Sequence, residues 1–197
     1  MTYFFWDSTD WFGSTLCCRY TLVQFGKLRL PMRIDGVLTI AEWHWALGLF
    51  TSGQFQVFGA WRDEGPETPQ RIASDLHDRG LERVHTLSAD DGLVAAMKAR
   101  HPKLCERTVA ELVESGAASY RMRQAIRWTD AAAQRLQERM SRAAKKHGPF
   151  ADHAAAAEFI AQAFQRADRD LLADYWDRAK PPPYGVSAAP RVLVRAA

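Results

Sequence analysis

Hydrophobic and polar positions change rhythm along this chain of 197 residues. From Gln54 to Trp61, Phe55, Val57 and Gly59 alternate with Gln54, Gln56 and Phe58, the period of two that a half-buried strand requires. Upstream, Leu28 to Ile34 reads as a short strand, and Pro31, which has no N–H, makes it an edge strand or a broken one. Asp35-Gly36 is a turn signal. Val37 to Phe50 follows as a long strand, and Thr51-Ser52-Gly53 joins it to the Gln54–Trp61 return strand as a hairpin. Asp63-Glu64-Gly65-Pro66 ends that strand. Thr68 as N-cap and Pro69 in the first turn then predict a helix through Asp78, with Ile72, Ala73 and Leu76 on its apolar face and Gly80 as its stop. Leu81 to Ser88 reads as a strand, and Gly92 to His101 as a helix that ends before Pro102.

Beyond that point the period becomes helical. Between Arg121 and Lys146, Met122, Ile126, Ala133, Leu136, Met140 and Ala143 fall three, four or seven residues apart, a narrow stripe on one side of a helix. Gly148-Pro149-Phe150 breaks it. Asp152 can cap a second helix carrying Ile160, Phe164, Ala167 and Leu171, and two helices with so short a break predict an antiparallel hairpin.

Composition sharpens this division. Residues 1–61 hold 14 of the 22 aromatic residues, whereas 104–179 are rich in Ala, Arg, Gln and Glu, so strands are expected first and helices later. The expected organisation is an α/β core at 1–103, a helical region at 104–179 and a Pro-rich tail at 180–197, with no internal repeat. A content of 47% hydrophobic and 25% charged residues excludes a disordered chain. The longest apolar stretch, Val37 to Phe50, is interrupted by Glu42 and His44 and is too short for a transmembrane helix, so no membrane partner is expected. The opening Met-Thr-Tyr-Phe-Phe-Trp-Asp lacks the basic region of a signal peptide. Cys17, Cys18 and Cys105 cannot all pair, and reduced thiols in the cytoplasm are the expectation.

The net charge of +3 acquires meaning only from its placement. Residues 121–146 carry Arg121, Arg123, Arg127, Arg135, Arg139, Arg142, Lys145 and Lys146 against Asp130 and Glu138, a net of +6. Residues 151–179 carry three Arg against six acids, a net of −3. Two readings follow: charge-complementary neighbouring helices, or a footprint for a nucleic-acid backbone. Arg135, Arg139, Arg142 and Lys146 lie three or four residues apart and share one helix face, as phosphate binding needs.

Candidate chemistry is sparse. There is no Gly-rich phosphate loop, no CxxC pair and no HExxH, and Cys105 has only His101 near it. The acids offer more. Asp7 ends the apolar run Tyr3-Phe4-Phe5-Trp6, and Asp90-Asp91 follow the strand-like Val84 to Leu87. Functional groups gather at the carboxyl ends of strands in α/β sheets, and two acids there can hold Mg²⁺ for phosphoryl transfer. Asp7 and Asp90 are the candidate metal ligands, with Asp91 and Glu138 as further catalytic candidates. Capping of the helix that starts at Gly92 is the structural alternative for Asp90 or Asp91.

Between about Trp45 and Thr108 the chain carries Ala46-Leu47-Gly48-Leu49, Val57-Phe58-Gly59-Ala60-Trp61 and Ile72 to Leu76. Asp78-Arg79-Gly80-Leu81-Glu82-Arg83-Val84 follows, then Gly92-Leu93-Val94-Ala95-Ala96-Met97 closing at His101-Pro102. In these stretches it resembles the Mutator-type insertion-sequence transposases. The resemblance implies a ribonuclease H-like mixed sheet in the N-terminal half, an Asp-Asp-Glu triad with Mg²⁺, and DNA cleavage and transfer. In this chain the family's second Asp position falls near Ser88, its Cys-x-x-His reads Cys105 and Thr108, and its Glu position falls near Gln134. Asp7 is the best-placed first Asp. Lys145-Lys146-His147-Gly148-Pro149-Phe150 is similar to the family's basic segment after the Glu.

Three readings stand open on these grounds: a transposase-like enzyme, a non-catalytic DNA-binding protein, and an α/β protein whose stripe of Met122, Ile126, Leu136 and Met140 seals a homodimer or a partner helix.

Overall fold

The computed structural model describes residues 10–100 and 102–177. After a short 3-10 turn at Asp10–Gly13, the chain forms strands β1 (Arg19–Ile34), β2 (Val37–Leu49) and β3 (Phe55–Arg62). Helix α1 (Thr68–Asp78), strand β4 (Arg83–Ser88) and helix α2 (Asp91–Arg100) follow. The two-residue β5 (Arg107–Thr108) leads into α3 (Val109–Glu114), α4 (Tyr120–His147) and α5 (His153–Asp177). The protein is therefore α/β, built on one five-stranded mixed sheet in the order β3-β2-β1-β4-β5. β1, β2 and β3 form an antiparallel meander, and β4 and β5 run parallel to β1 and to β4 respectively.

β1 is longer than its sequence pattern suggests, and it is central rather than an edge. Pro31 is tolerated there for a geometric reason. β4 pairs only with Arg19 to Gln24, so the second half of β1 has an open side. Phe150 N donates to Pro31 O at 2.9 Å and Arg33 N donates to Phe150 O at 2.7 Å, which shows that residues 31 and 33 turn their backbone groups to that open side. The N–H that Pro31 lacks is therefore not missed by β2.

A bulge marks β3. Ala46 pairs with Gly59 but Leu47 pairs with Val57, leaving Phe58 as the extra residue, and Gly59 takes φ +143°, a value other residues rarely adopt. The buried guanidinium of Arg79 donates through Nη2 to the displaced Phe58 carbonyl at 2.7 Å. The same side chain donates through Nε to Ser14 O at 2.8 Å and lies 3.3 Å from Asp75. Burial lowers its pKa, with the Asp75 carboxylate opposing that shift.

The sheet is covered on both faces. On one, Ile72, Ala73 and Leu76 of α1 and Leu93, Ala96 and Met97 of α2 pack on Val23, Ala46, Phe58, Val84 and Leu87. On the other, Ala132, Leu136, Met140 and Ala144 of α4 and Ile160, Phe164 and Ala167 of α5 pack on Leu28, Leu30, Trp43, Trp45 and Leu47. Gly26 makes room for this second layer, because a Cβ there would sit 2.2 Å from the Trp45 ring. The Trp45 Nε1–H then reaches Gln137 Oε1 of α4 at 2.8 Å. A third cluster joins Leu22 and Leu49 to Leu112 of α3 and Met122 and Ala125 of α4.

Several local expectations shift by a residue or two. The residue before α1 is Glu67 rather than Thr68, and its side chain makes no capping hydrogen bond. Thr68 instead accepts from Glu64 N at 2.9 Å and holds the preceding loop. Asp152 caps the second long helix as expected, accepting from Ala155 N at 2.7 Å. No helix among the described residues is long and apolar enough to cross a membrane.

Candidate functional site

α4 begins at Ser119, whose hydroxyl accepts from Met122 N at 3.2 Å, and runs for 28 residues, about 42 Å. Met122, Ala125, Thr129, Ala132, Ala133, Leu136, Met140 and Ala144 are its buried side. With that stripe held against the sheet, the opposite side must face water, and Arg121, Arg123, Arg127, Arg135, Arg139, Arg142, Lys145 and Lys146 are all exposed. Their distribution is uneven around the helix, with Arg135, Arg139, Arg142 and Lys146 on one line. Charge complementarity with α5 is realised at Arg139, which pairs with Asp170. Arg123 turns back to Ala118 O, and Arg142 Nε donates to Glu138 O at 3.3 Å.

The carboxyl end of β4 forms a second region of interest. Ser88 is in register with Gln24 of β1, so the position where the resemblance sets an acid has an amide beside it. Gln24 Oε1 is buried and has no hydrogen-bond partner among the described residues. Asp90 caps α2, its Oδ1 accepting from Leu93 N at 3.0 Å, while Oδ2 lies 3.5 Å from Lys27 Nζ. Both contacts set positive charge beside the carboxylate, one from the helix dipole and one from a cation. Asp91 is the first residue of α2 and is exposed.

An open cleft of about 220 Å³ lies here, lined by Lys27, His44, Ser88 and Asp90 among others. His44 is buried, with Nε2 3.5 Å from Asp63 Oδ2, and its Nδ1 has no partner among the described residues. The Gly65 N–H holds the Asp63 carboxyl below its ordinary range, and His44 adds to that effect.

The remaining candidates are dispersed. Glu138 is exposed on the outer side of α4, across the sheet from Asp90. Asp7 lies outside the described residues. Among the described residues, no group of three or more His, Cys, Asp or Glu side chains is arranged to hold a metal ion. Cys105 is buried, and burial pushes its thiol pKa up, which disfavours the thiolate. Cys17 and Cys18 are exposed and unpaired.

Sequence reasoning passed over Lys27 and His44, because their pairing across β1 and β2 is a matter of register. It also passed over Trp128, although that residue stands seven positions from both Arg121 and Arg135. Compared with known families and with curated proteins, the chain matches no family model and no curated protein.

Proposed function

We propose that this protein binds DNA through the outer face of α4 and that it does so on a ribonuclease H-like core without cutting the strand. The observation that carries the reading is the exposure of eight cations on one helix whose opposite side is packed on the sheet. A rigid helix anchored along its length presents those charges without the entropic cost of ordering a loop. The antiparallel β1–β2–β3 meander followed by parallel β4 and β5 supports the ribonuclease H-like assignment. Binding rather than cleavage is favoured by the strand ends. Gln24 and Ser88 stand side by side where the transposase resemblance sets an acid, and Asp90 is engaged by Lys27 and the α2 N-terminus.

Fluorescence polarisation with labelled oligonucleotides across a salt series tests this. Log affinity is expected to fall linearly with log salt, by about 0.9 per phosphate neutralised on duplex and about 0.7 on single strands. Replacing Arg135, Arg139, Arg142 and Lys146 together with Gln is expected to flatten the slope by two or more such steps. An unchanged slope would remove the assignment. Cleavage of supercoiled DNA with Mg²⁺ or Mn²⁺ that disappears in Asp90→Asn would overturn the non-catalytic reading in favour of a strand-transfer enzyme.

A further inference from the structure

The cationic line on α4 is interrupted by an aromatic ring. At about 100° per residue, Arg121, Trp128 and Arg135 fall within about 40° of one another around the helix. Arg139, Arg142 and Lys146 extend the same line toward the C-terminus. Trp128 is 39% exposed, whereas its neighbours Ala125, Thr129 and Ala132 on the packed side are buried. Tyr120, two turns earlier, is 67% exposed, and its hydroxyl accepts from Gln124 Nε2 at 2.8 Å. Other tryptophans are used differently. Trp43 and Trp45 are buried in the core, and Trp61 donates its N–H to Asp75 at 2.9 Å.

We propose that this line is a binding track for single-stranded DNA, with an unpaired base stacked on the Trp128 indole and the flanking phosphates held by Arg121, Arg135, Arg139, Arg142 and Lys146. The inference rests on the DNA reading above and narrows it. Cations alone attract duplex and single strand alike. The bases of a duplex have their faces covered by each other, so an exposed indole amid the cations gains little from them. An unpaired base has a free face, and stacking it on a half-buried ring fixed to a packed helix adds affinity with little ordering cost. Every base has such a face, so the track is expected to be tolerant of sequence.

The test uses the full chain with a labelled 20-nucleotide oligothymidylate and a 20-base-pair duplex at one salt concentration. The single strand is expected to bind about tenfold more tightly than the duplex. Trp128→Ala is expected to weaken single-strand binding about tenfold while leaving duplex binding within twofold. Trp128→Phe, which keeps a ring, should retain most of the affinity. Thermal unfolding of both variants, expected to match the parent, separates a lost stack from a lost fold. Equal affinity of parent and Trp128→Ala for the single strand would overturn the track, even with salt-dependent duplex binding intact. Tighter binding of an oligouridylate than of the oligothymidylate would overturn its assignment to DNA. Binding of neither DNA form would overturn the DNA reading itself, and this inference with it.

Discussion

The two faces of the sheet are closed by different means. α1 and α2 are short, and polar clamps fasten their side of the molecule. Arg79 ties the bulged Phe58 carbonyl and Ser14 to Asp75, Trp61 donates to the same Asp75, and Asp90 joins the start of α2 to Lys27. α4 and α5 are long and Ala-rich, and they cover the opposite face mainly with apolar contacts around Trp45 and Phe164. A small side chain at most packed positions lets a long helix lie close to the strands, and the polar outer half of α4 makes mostly local or surface contacts, such as Arg139 with Asp170 and Arg142 with Glu138 O. Clamped helices commit most of their polar groups to the fold, whereas apolar-packed ones leave most of theirs at the surface. The exposed cationic line belongs to the second kind.

This contrast is sharpest where a substitution removes one kind of fastening. Phe164 is fully buried beside Trp45, with ring centroids 6.3 Å apart. Phe164→Ala is expected to cost about 3–5 kcal/mol in urea denaturation, a large part of the stability of a domain this size. Arg79→Met keeps most of the volume but removes the donors to Phe58 O and Ser14 O. Its expected cost is about 2–3 kcal/mol, read as a lower midpoint at unchanged m. The Gln replacements on the outer line of α4, by contrast, should move stability by no more than about 0.5 kcal/mol each while changing DNA affinity.

A pH-dependent effect concerns Asp168 of α5, whose carboxyl ties that helix to the sheet. Its Oδ1 accepts from Val57 N at 2.8 Å at the edge strand β3. Burial raises its pKa above the ordinary 3.8, with the Val57 N–H opposing the shift. The folded state thus favours the protonated acid. Its contribution to stability is fully present below pH 3.8 and is lost as pH rises through the raised folded value. Asp168→Asn, which keeps an acceptor for Val57 N–H without the charge, is expected to stabilise by less than about 1 kcal/mol at pH 7 and not at all at pH 3. Asp168→Ala should instead cost about 1–2 kcal/mol at pH 3, because Val57 N–H loses its acceptor, and less at pH 7, where removing the buried charge offsets part of that loss. Thermal melts at the two pH values distinguish the cases.

Much of the element map was legible because it depends on local signals. The hairpin at Thr51-Ser52-Gly53, the helices at 68–78 and 120–147, and the Asp152 cap follow from periodicity, turn residues and short-range capping. Only Leu28 to Ile34 of β1 reads as a strand, because Arg19 to Lys27 lacks a clean alternation, and Pro31 counts against a central strand unless its open side is known. β5 has two residues and no pattern to read. For the candidate site, the eight cations, and the common face of Arg135, Arg139, Arg142 and Lys146, were legible from spacing alone. The neutral pair Gln24 and Ser88, and the engagement of Asp90 by Lys27, were not, since both depend on which strands become neighbours.

The sequence by itself determined where most of the strands and helices form and that one helix would carry a surplus of positive charge, since these depend on residues within a turn or two of one another. Tertiary structure decided which side of that helix is available. Packing of Met122, Leu136 and Met140 on the sheet turns Arg135, Arg142 and Trp128 outward together. It also decided the chemistry at the strand ends, where the parallel register of β1 and β4 brings residues 64 positions apart in sequence side by side. Local pattern carries no information about such register, because it is set by burying both faces of the sheet at once.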